Sequence, residues 1–208
     1  MIPYRTPFFL PYLYPSLTWR KDDGSKSIYL TFDDGPVAGP TEFVLETLSQ
    51  FSAKATFFCI GDNVRKHPEV FNKIIEGGHA IGNHTYNHLN GWKTQLNTYI
   101  NNIQLCEQQI SRGRNPGGKK LLRPPYGKIK RSQIKALSSY DIIMWDVLSK
   151  DYSHTHTPEK CLQESIGATR NGSIVVFHDS FKAETNLMYV LPRYIQHFKE
   201  LGFEFKSL

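Results

Sequence analysis

Several absences narrow the problem before any motif is read. No window of the 208 residues holds the roughly 18 consecutive apolar residues that a membrane-crossing helix needs. The apolar opening, residues 1–20, is interrupted by Pro3, Pro7, Pro11 and Pro15, and it has neither a basic start nor a small-residue cleavage site. It therefore does not read as a signal peptide. The default location is the cytoplasm, with the cell envelope as the alternative if the chain is part of a longer one. Only three cysteines are present, Cys59, Cys106 and Cys161. They cannot all pair and fit no zinc-finger spacing, so they read as buried free thiols. No glycine-rich dinucleotide turn follows the first strand, and there is no phosphate-binding loop. Acidic residues are missing from Gln108 to Tyr140, where nine basic ones stand: Arg112, Arg114, Lys119, Lys120, Arg123, Lys128, Lys130, Arg131 and Lys135. Proline and glycine break this stretch and no recognition motif frames it, so nucleic acid is not an expected partner. A solvated basic face that attracts anionic partners fits better, in keeping with the net charge of +6.

What is present describes an ordinary globular chain, 39% apolar and 13% aromatic, long enough to fold without a disulfide. It is expected to act as a monomer. Short apolar runs alternate with helix-like stretches. Strands are expected at residues 27–32, 55–60, 80–82, 121–123, 140–147, 173–178 and 203–206. Helices are expected at 41–51 with Thr41 as cap, 68–76, 92–111, 132–138, 158–169 with Thr157 as cap, and 186–201. Alternation of this kind implies an α/β fold with parallel strands, either an open doubly wound sheet or a barrel. Functional groups then collect at the carboxyl ends of the strands. Residues 1–26, rich in aromatics and proline, read as an extension packed on a domain spanning 27–208.

Polar clusters fall at those strand ends. The first is Asp33-Asp34-Gly35-Pro36, two adjacent carboxylates that would point oppositely in an extended chain. The second is His84-Thr85-Tyr86-Asn87-His88, where histidines at i and i+4 share a face if the segment makes one helical turn. Two imidazoles and one carboxylate from the first cluster, with open positions left over, describe a catalytic metal site. The third is Arg123-Pro124-Pro125-Tyr126-Gly127, whose guanidinium fork suits a carboxylate. The fourth is Trp145 to Tyr152, with Asp146 and Asp151, and the fifth is Val176-Phe177-His178.

In this order the five clusters resemble the polysaccharide deacetylases of carbohydrate esterase family four, the NodB homology domain. The family pattern TFDDG, H-[ST]-x-x-H, R-x-P-[YF], D-x-x-D-[WY] and L-x-H is met here by TFDDGP, HTYNH, RPPYG, Asp151-Tyr152 and VFH. The resemblance spans nearly the whole chain and, with both His84 and His88 present, is closer to the peptidoglycan and chitin deacetylase branch than to the metal-free relatives acting on cyclic amides. It implies a distorted (β/α) barrel of seven to eight parallel strands with the site at its top. It also implies roles. Asp33 would be the general base, held by Arg123. Asp34, His84 and His88 would bind a divalent metal, zinc by default, with cobalt, nickel or manganese as alternatives. Tyr126 would lend its backbone N–H to the oxyanion. His178 would be the general acid, supported by Asp151. Leu148 departs from the first Asp of the fourth motif, which leaves Asp146 as the reserve partner of His178, and Val176 departs from Leu in the fifth.

The expected reaction is metal-dependent hydrolysis of N-acetyl groups on an amino-sugar polymer or oligomer. Trp92, Tyr126 and Tyr152 are the expected sugar platforms, with Tyr86 a weaker candidate and Leu148 in the floor under the acetyl methyl. For Trp92, packing beside the metal loop is the alternative. Competing readings are an O-deacetylase of a polysaccharide such as xylan, a non-catalytic glycan-binding protein on the same scaffold, and a ferrous oxygenase. The strand–helix alternation argues against the last.

Overall fold

The computed structural model describes residues 3–113 and 120–208. Arg114 and Lys119 of the basic stretch lie outside them. The strands are β1 Ser27–Asp33, β2 Ala55–Cys59, β3 Ala80–Asn83, β4 Lys120–Leu122, β5 Tyr140–Ile142, β6 Val147–Leu148, β7 Ile174–His178 and β8 Glu204–Phe205. The helices are α1 Leu10–Leu13, α2 Pro40–Gln50, α3 Gly61–Lys66, α4 Pro68–Glu76, α5 Leu96–Ile110, α6 Arg131–Ala136, α7 Pro158–Ala168 and α8 Glu184–Glu200. Seven strands lie in the order β5-β4-β3-β2-β1-β7-β6, all paired parallel, and β8 adds to the start of β1. The result is a curled half-barrel, in agreement with the fold expected from the motifs.

Strand β1 explains how one apolar run serves two environments. All seven of its residues are buried, but the pleat sends alternate side chains to opposite faces. Ile28, Leu30 and Phe32 join the larger core, which packs the sheet against α2, α4 and α8. Tyr29 joins Phe58, Ile143 and Ile174 in a separate small cluster. Thr31 and Asp33 share that second face by the same alternation.

Three expectations need correction. The run 140–147 is not one strand. Its first part pairs with β4 and its end with β7, so four residues cross between the two outer strands of the sheet. A single strand could not serve both edges. The N-terminal segment lines this crossing: Thr18 bridges Ile143, Arg5 bridges Val147, and Thr6 N–H donates to the Asp146 carbonyl. The helix expected over 92–111 starts at Leu96, after a 3-10 turn at Gly91–Lys93. Gly91 lies so close to the Lys128 carbonyl that a Cβ would stand 2.3 Å from it, and the Asn90 side chain closes the turn on Trp92 N–H. Thr41 does not cap its helix. Gly39 occupies that position, with its N–H held by Glu42, and the Thr41 hydroxyl points elsewhere. Thr157 does cap α7, accepting from Lys160 N–H. Helix α3 had no sequence signal, being six mostly polar residues.

Candidate active site

The strand ends bring the polar clusters together. In the register of β1 and β7, Asp33 lies directly beside His178. Across β2, the end of β3 delivers His84 one residue beyond Asn83, and the end of β4 delivers Arg123 one residue beyond Leu122. Leu148 of β6 sits opposite Val176, and both are buried.

Asp34 breaks the alternation expected of an extended pair, because its φ is +81°. Its carboxylate and that of Asp33 therefore both approach His84. Asp34 Oδ1 lies 3.6 Å from His84 Nε2 and 3.2 Å from His88 Nε2, and Asp33 Oδ2 lies 4.0 Å from His84 Nε2. The two histidines do not share a helical face. Residues 84–88 form a loop in which Thr85 and His88 are left-handed, at φ +62° and +55°. Asn102 of α5 holds it by accepting from the N–H groups of Tyr86 and Asn87, and Asn83 accepts from Thr85 N–H.

Asp34, His84 and His88 each present a ligand atom within 4.8 Å of the others. Two donors on one zinc ion at tetrahedral geometry stand about 3.3 Å apart, given Zn–N and Zn–O bonds of about 2.0–2.1 Å. The observed 3.2 and 3.6 Å straddle that spacing. Asp34 Oδ1 is buried without a hydrogen-bond partner, a costly state for a carboxylate oxygen unless a cation completes it. His84 Nδ1 lies 2.8 Å from the Arg123 carbonyl, which can only accept. The ring therefore donates from Nδ1 and keeps its Nε2 lone pair toward Asp34. Burial lowers His84 to about 4, so it is neutral, as a ligand must be. Burial pushes the Asp34 carboxyl up, but His88 and the other imidazoles outweigh this and hold it well below the usual carboxylate range. The donor set fits a divalent ion.

Arg123 is fully buried, and its guanidinium does not grip a carboxylate bidentately as its fork would allow. Nη1 donates to Asp33 Oδ1 at 2.7 Å and to Thr31 Oγ1 at 2.6 Å, while Nη2 and Nε donate to the Met144 and Ile143 carbonyls. One side chain thus joins the end of β1 to the crossing strand segment. His178 Nδ1 lies 2.8 Å from Asp151 Oδ1, and Asp151 Oδ2 accepts His178 N–H. Burial by itself would lower His178, but the Asp151 carboxylate outweighs it and raises the imidazole to about 9. Asp146 is engaged elsewhere, by Arg170 and Ser173.

Of the aromatics, Tyr126 is 60% exposed and packs its ring 4.6 Å from that of His88. The half-buried Tyr152 stands edge-on to His178 at 4.9 Å. Trp92 is also 60% exposed, with Nε1 donating to the Ile129 carbonyl. Tyr86 is half-buried against the larger core. Asn63, Asn83, Asn102 and Asp179 were not singled out in the sequence. Asn63, Asn102 and Asp179 bond loop backbone 15 to 144 residues away, and Asn83 joins Thr85 N–H to the Ile103 carbonyl of α5, so no local pattern marks them.

A family model described as polysaccharide deacetylase matches residues 20–145. A peptidoglycan-N-acetylglucosamine deacetylase of Bacillus cereus is 36% identical over 157 residues, which are 74% of this chain and 56% of that protein. A second protein of that name from the same species is 29% identical over 200 residues, covering 92% of this chain and 91% of its own. The chain therefore spans just over half of the first relative and nearly all of the second. The crystal structure of a peptidoglycan N-acetylglucosamine deacetylase in complex with 4-naphthalen-1-yl-N-oxidanyl-benzamide matches with a TM-score of 0.88 at 30% identity, over 98% of this chain and 95% of that one.

Proposed function

Because this chain belongs to the polysaccharide deacetylase family, we propose that it hydrolyses N-acetyl groups on an N-acetylglucosamine-containing glycan, peptidoglycan or chitin-like. The observation that carries the reading is the pairing of Asp33 and His178 on neighbouring strand ends, each with its own partner, beside the Asp34–His84–His88 triplet.

Amide hydrolysis needs a water stripped of a proton, a place for the oxyanion, and a proton for the leaving amine. Asp33 is the base, its carboxylate oriented by Arg123. Asp34, His84 and His88 hold the divalent ion, zinc by default. When bound, such an ion lowers the pKa of a water and polarises a carbonyl. Tyr126, left-handed at φ +61°, offers its backbone N–H to the developing oxyanion, a contribution of about 3 kcal/mol for a well-placed donor. His178 enters protonated at neutral pH and gives its proton to the amine, with Asp151 stabilising the imidazolium. The exposed rings of Tyr126 and Trp92 and the half-buried ring of Tyr152 offer faces to sugars, and Leu148 with Val176 supplies apolar wall for the acetyl methyl.

Acetate release from chitin oligomers, peptidoglycan and acetylated xylan by the zinc-loaded protein tests this. Acetate from either amino-sugar substrate is expected, together with a loss of about 100-fold or more in kcat for Asp33→Asn at unchanged zinc content. Preference for xylan, or a zinc-loaded protein inert on all three, would sink the reading.

A further inference from the structure

We infer that Asp179 is a positioning residue, which holds the loop carrying both Asp33 and Asp34 and so sets metal affinity and turnover together. Only the kinetic half of this rests on the deacetylase reading above.

Asp179 follows His178 at the end of β7 and is 1% exposed. Its Oδ1 accepts Gly35 N–H at 3.1 Å, and its Oδ2 accepts the Thr41 hydroxyl at 2.6 Å. Thr41 in turn accepts Val37 N–H at 2.9 Å. The backbone of Asp179 completes the grip, its N–H donating to the Asp33 carbonyl at 3.1 Å. The carboxyl group thus reaches the loop directly at Gly35 and, through Thr41, at Val37. The fit leaves no slack, because a Cβ on Gly35 would stand 1.9 Å from Asp179 Oδ2. Only glycine admits the carboxyl group there.

The loop needs such support. Asp34 is held at φ +81°, a region costly for a residue other than glycine and maintained only when its surroundings enforce it. Asn63 donates to the Asp34 carbonyl, and Ile60 N–H donates to the Gly35 carbonyl. Those two fix the carbonyl groups, whereas Asp179 fixes the N–H of Gly35. Removing its side chain strands a buried donor one residue from a metal ligand and two from the base. Burial, opposed by the Thr41 hydrogen bond, pushes the Asp179 carboxyl up to about 8. An amide keeps the shape of the group and an acceptor oxygen for Gly35 N–H.

The test compares Asp179→Ala, Asp179→Asn and Thr41→Val in the full chain. Zinc affinity is read by chelator competition on metal-stripped protein, and kcat and KM on an N-acetylglucosamine hexamer. Groups that orient metal ligands are worth about 10- to 100-fold in affinity or activity. Asp179→Ala should lose that much in both zinc affinity and kcat, with KM within about twofold of the parent. Asp179→Asn keeps an acceptor for Gly35 and should recover both to within about threefold. A folded Asp179→Ala protein with parental zinc affinity overturns the inference, and so does an Asn variant as impaired as Ala. If the Ala variant does not fold, Thr41→Val decides: a loss of about threefold or more in zinc affinity supports the role, and parental affinity refutes it. Zinc affinity needs no substrate, so a parent protein that releases no acetate defeats the deacetylase proposal without deciding this one.

Discussion

Asp33 and Asp34 are chain neighbours of one residue type, yet they have different surroundings. Asp33 ends a strand and meets Arg123, and Asp34 turns left-handed and meets two imidazoles. The motif residues were legible because each lies within a few positions of a strand end. Their partners were legible only where the motif supplied them: no spacing reveals that Asp151, and not Asp146, lies 2.8 Å from His178 Nδ1. That contact makes a pH prediction. His178 is raised to about 9, so its acid form is present below that pH and lost above it. The alkaline limb of kcat should fall near pH 9. Asp151→Asn should move it down toward the ordinary histidine value of about 6.5, with kcat at pH 8 falling about 30-fold. By the same sign, stability from the pair is complete below about pH 6.5 and fades as pH rises through the folded value. An alkaline limb unmoved by Asp151→Asn would remove His178 as the titrating acid.

The crossing between β5 and β6 shows how elements depend on a segment that sequence periodicity treats as an appendage. Residues 143–146 lie between two strands at opposite sides of the sheet, and Thr18 and Arg5 bridge to Ile143 and Val147. Leu17 and Trp19 bury themselves in a second core with Tyr99, Ile103, Leu122 and Met144. Leu122 immediately precedes Arg123, and Met144 gives Arg123 a carbonyl. Trp19→Ala should therefore cost about 3 kcal/mol of stability. In a chain of this size that is a fall of about 6–12 °C in Tm. Zinc affinity should stay near parental, since Trp19 touches no ligand. Calorimetry of the two proteins measures the shift, and a Tm within about 2 °C of the parent would show that the segment does not hold the crossing. The division of 140–147 into two strands was unreadable from its apolar pattern, because pairing partners on opposite edges leave no mark on local periodicity.

At the scale of the whole molecule, the positive charge has a place to act. Lys128 lies 5.5 Å from the Trp92 ring centroid and Lys182 lies 5.2 Å from that of Tyr152, and no described carboxylate pairs with either. These aromatics are the sugar platforms proposed above. A glycan bearing carboxylates should therefore bind with a KM that rises several-fold between about 0.05 and 0.5 M salt, while a neutral chitin oligomer shows little change. Equal salt responses for the two would show that the charge does not steer substrate. The sequence by itself determined the parallel α/β plan, since alternating apolar runs and helical stretches admit few arrangements. Its motifs, by their resemblance to a deacetylase family, also pointed to polar residues that a parallel sheet gathers at its strand ends. Only the tertiary structure decided which carboxylate faces which cation, that the histidine pair is joined by a strained loop, and that Asp179 braces the Asp33–Asp34 turn. Those outcomes depend on backbone angles and on hydrogen bonds between segments 15 to 144 residues apart, which local pattern does not encode.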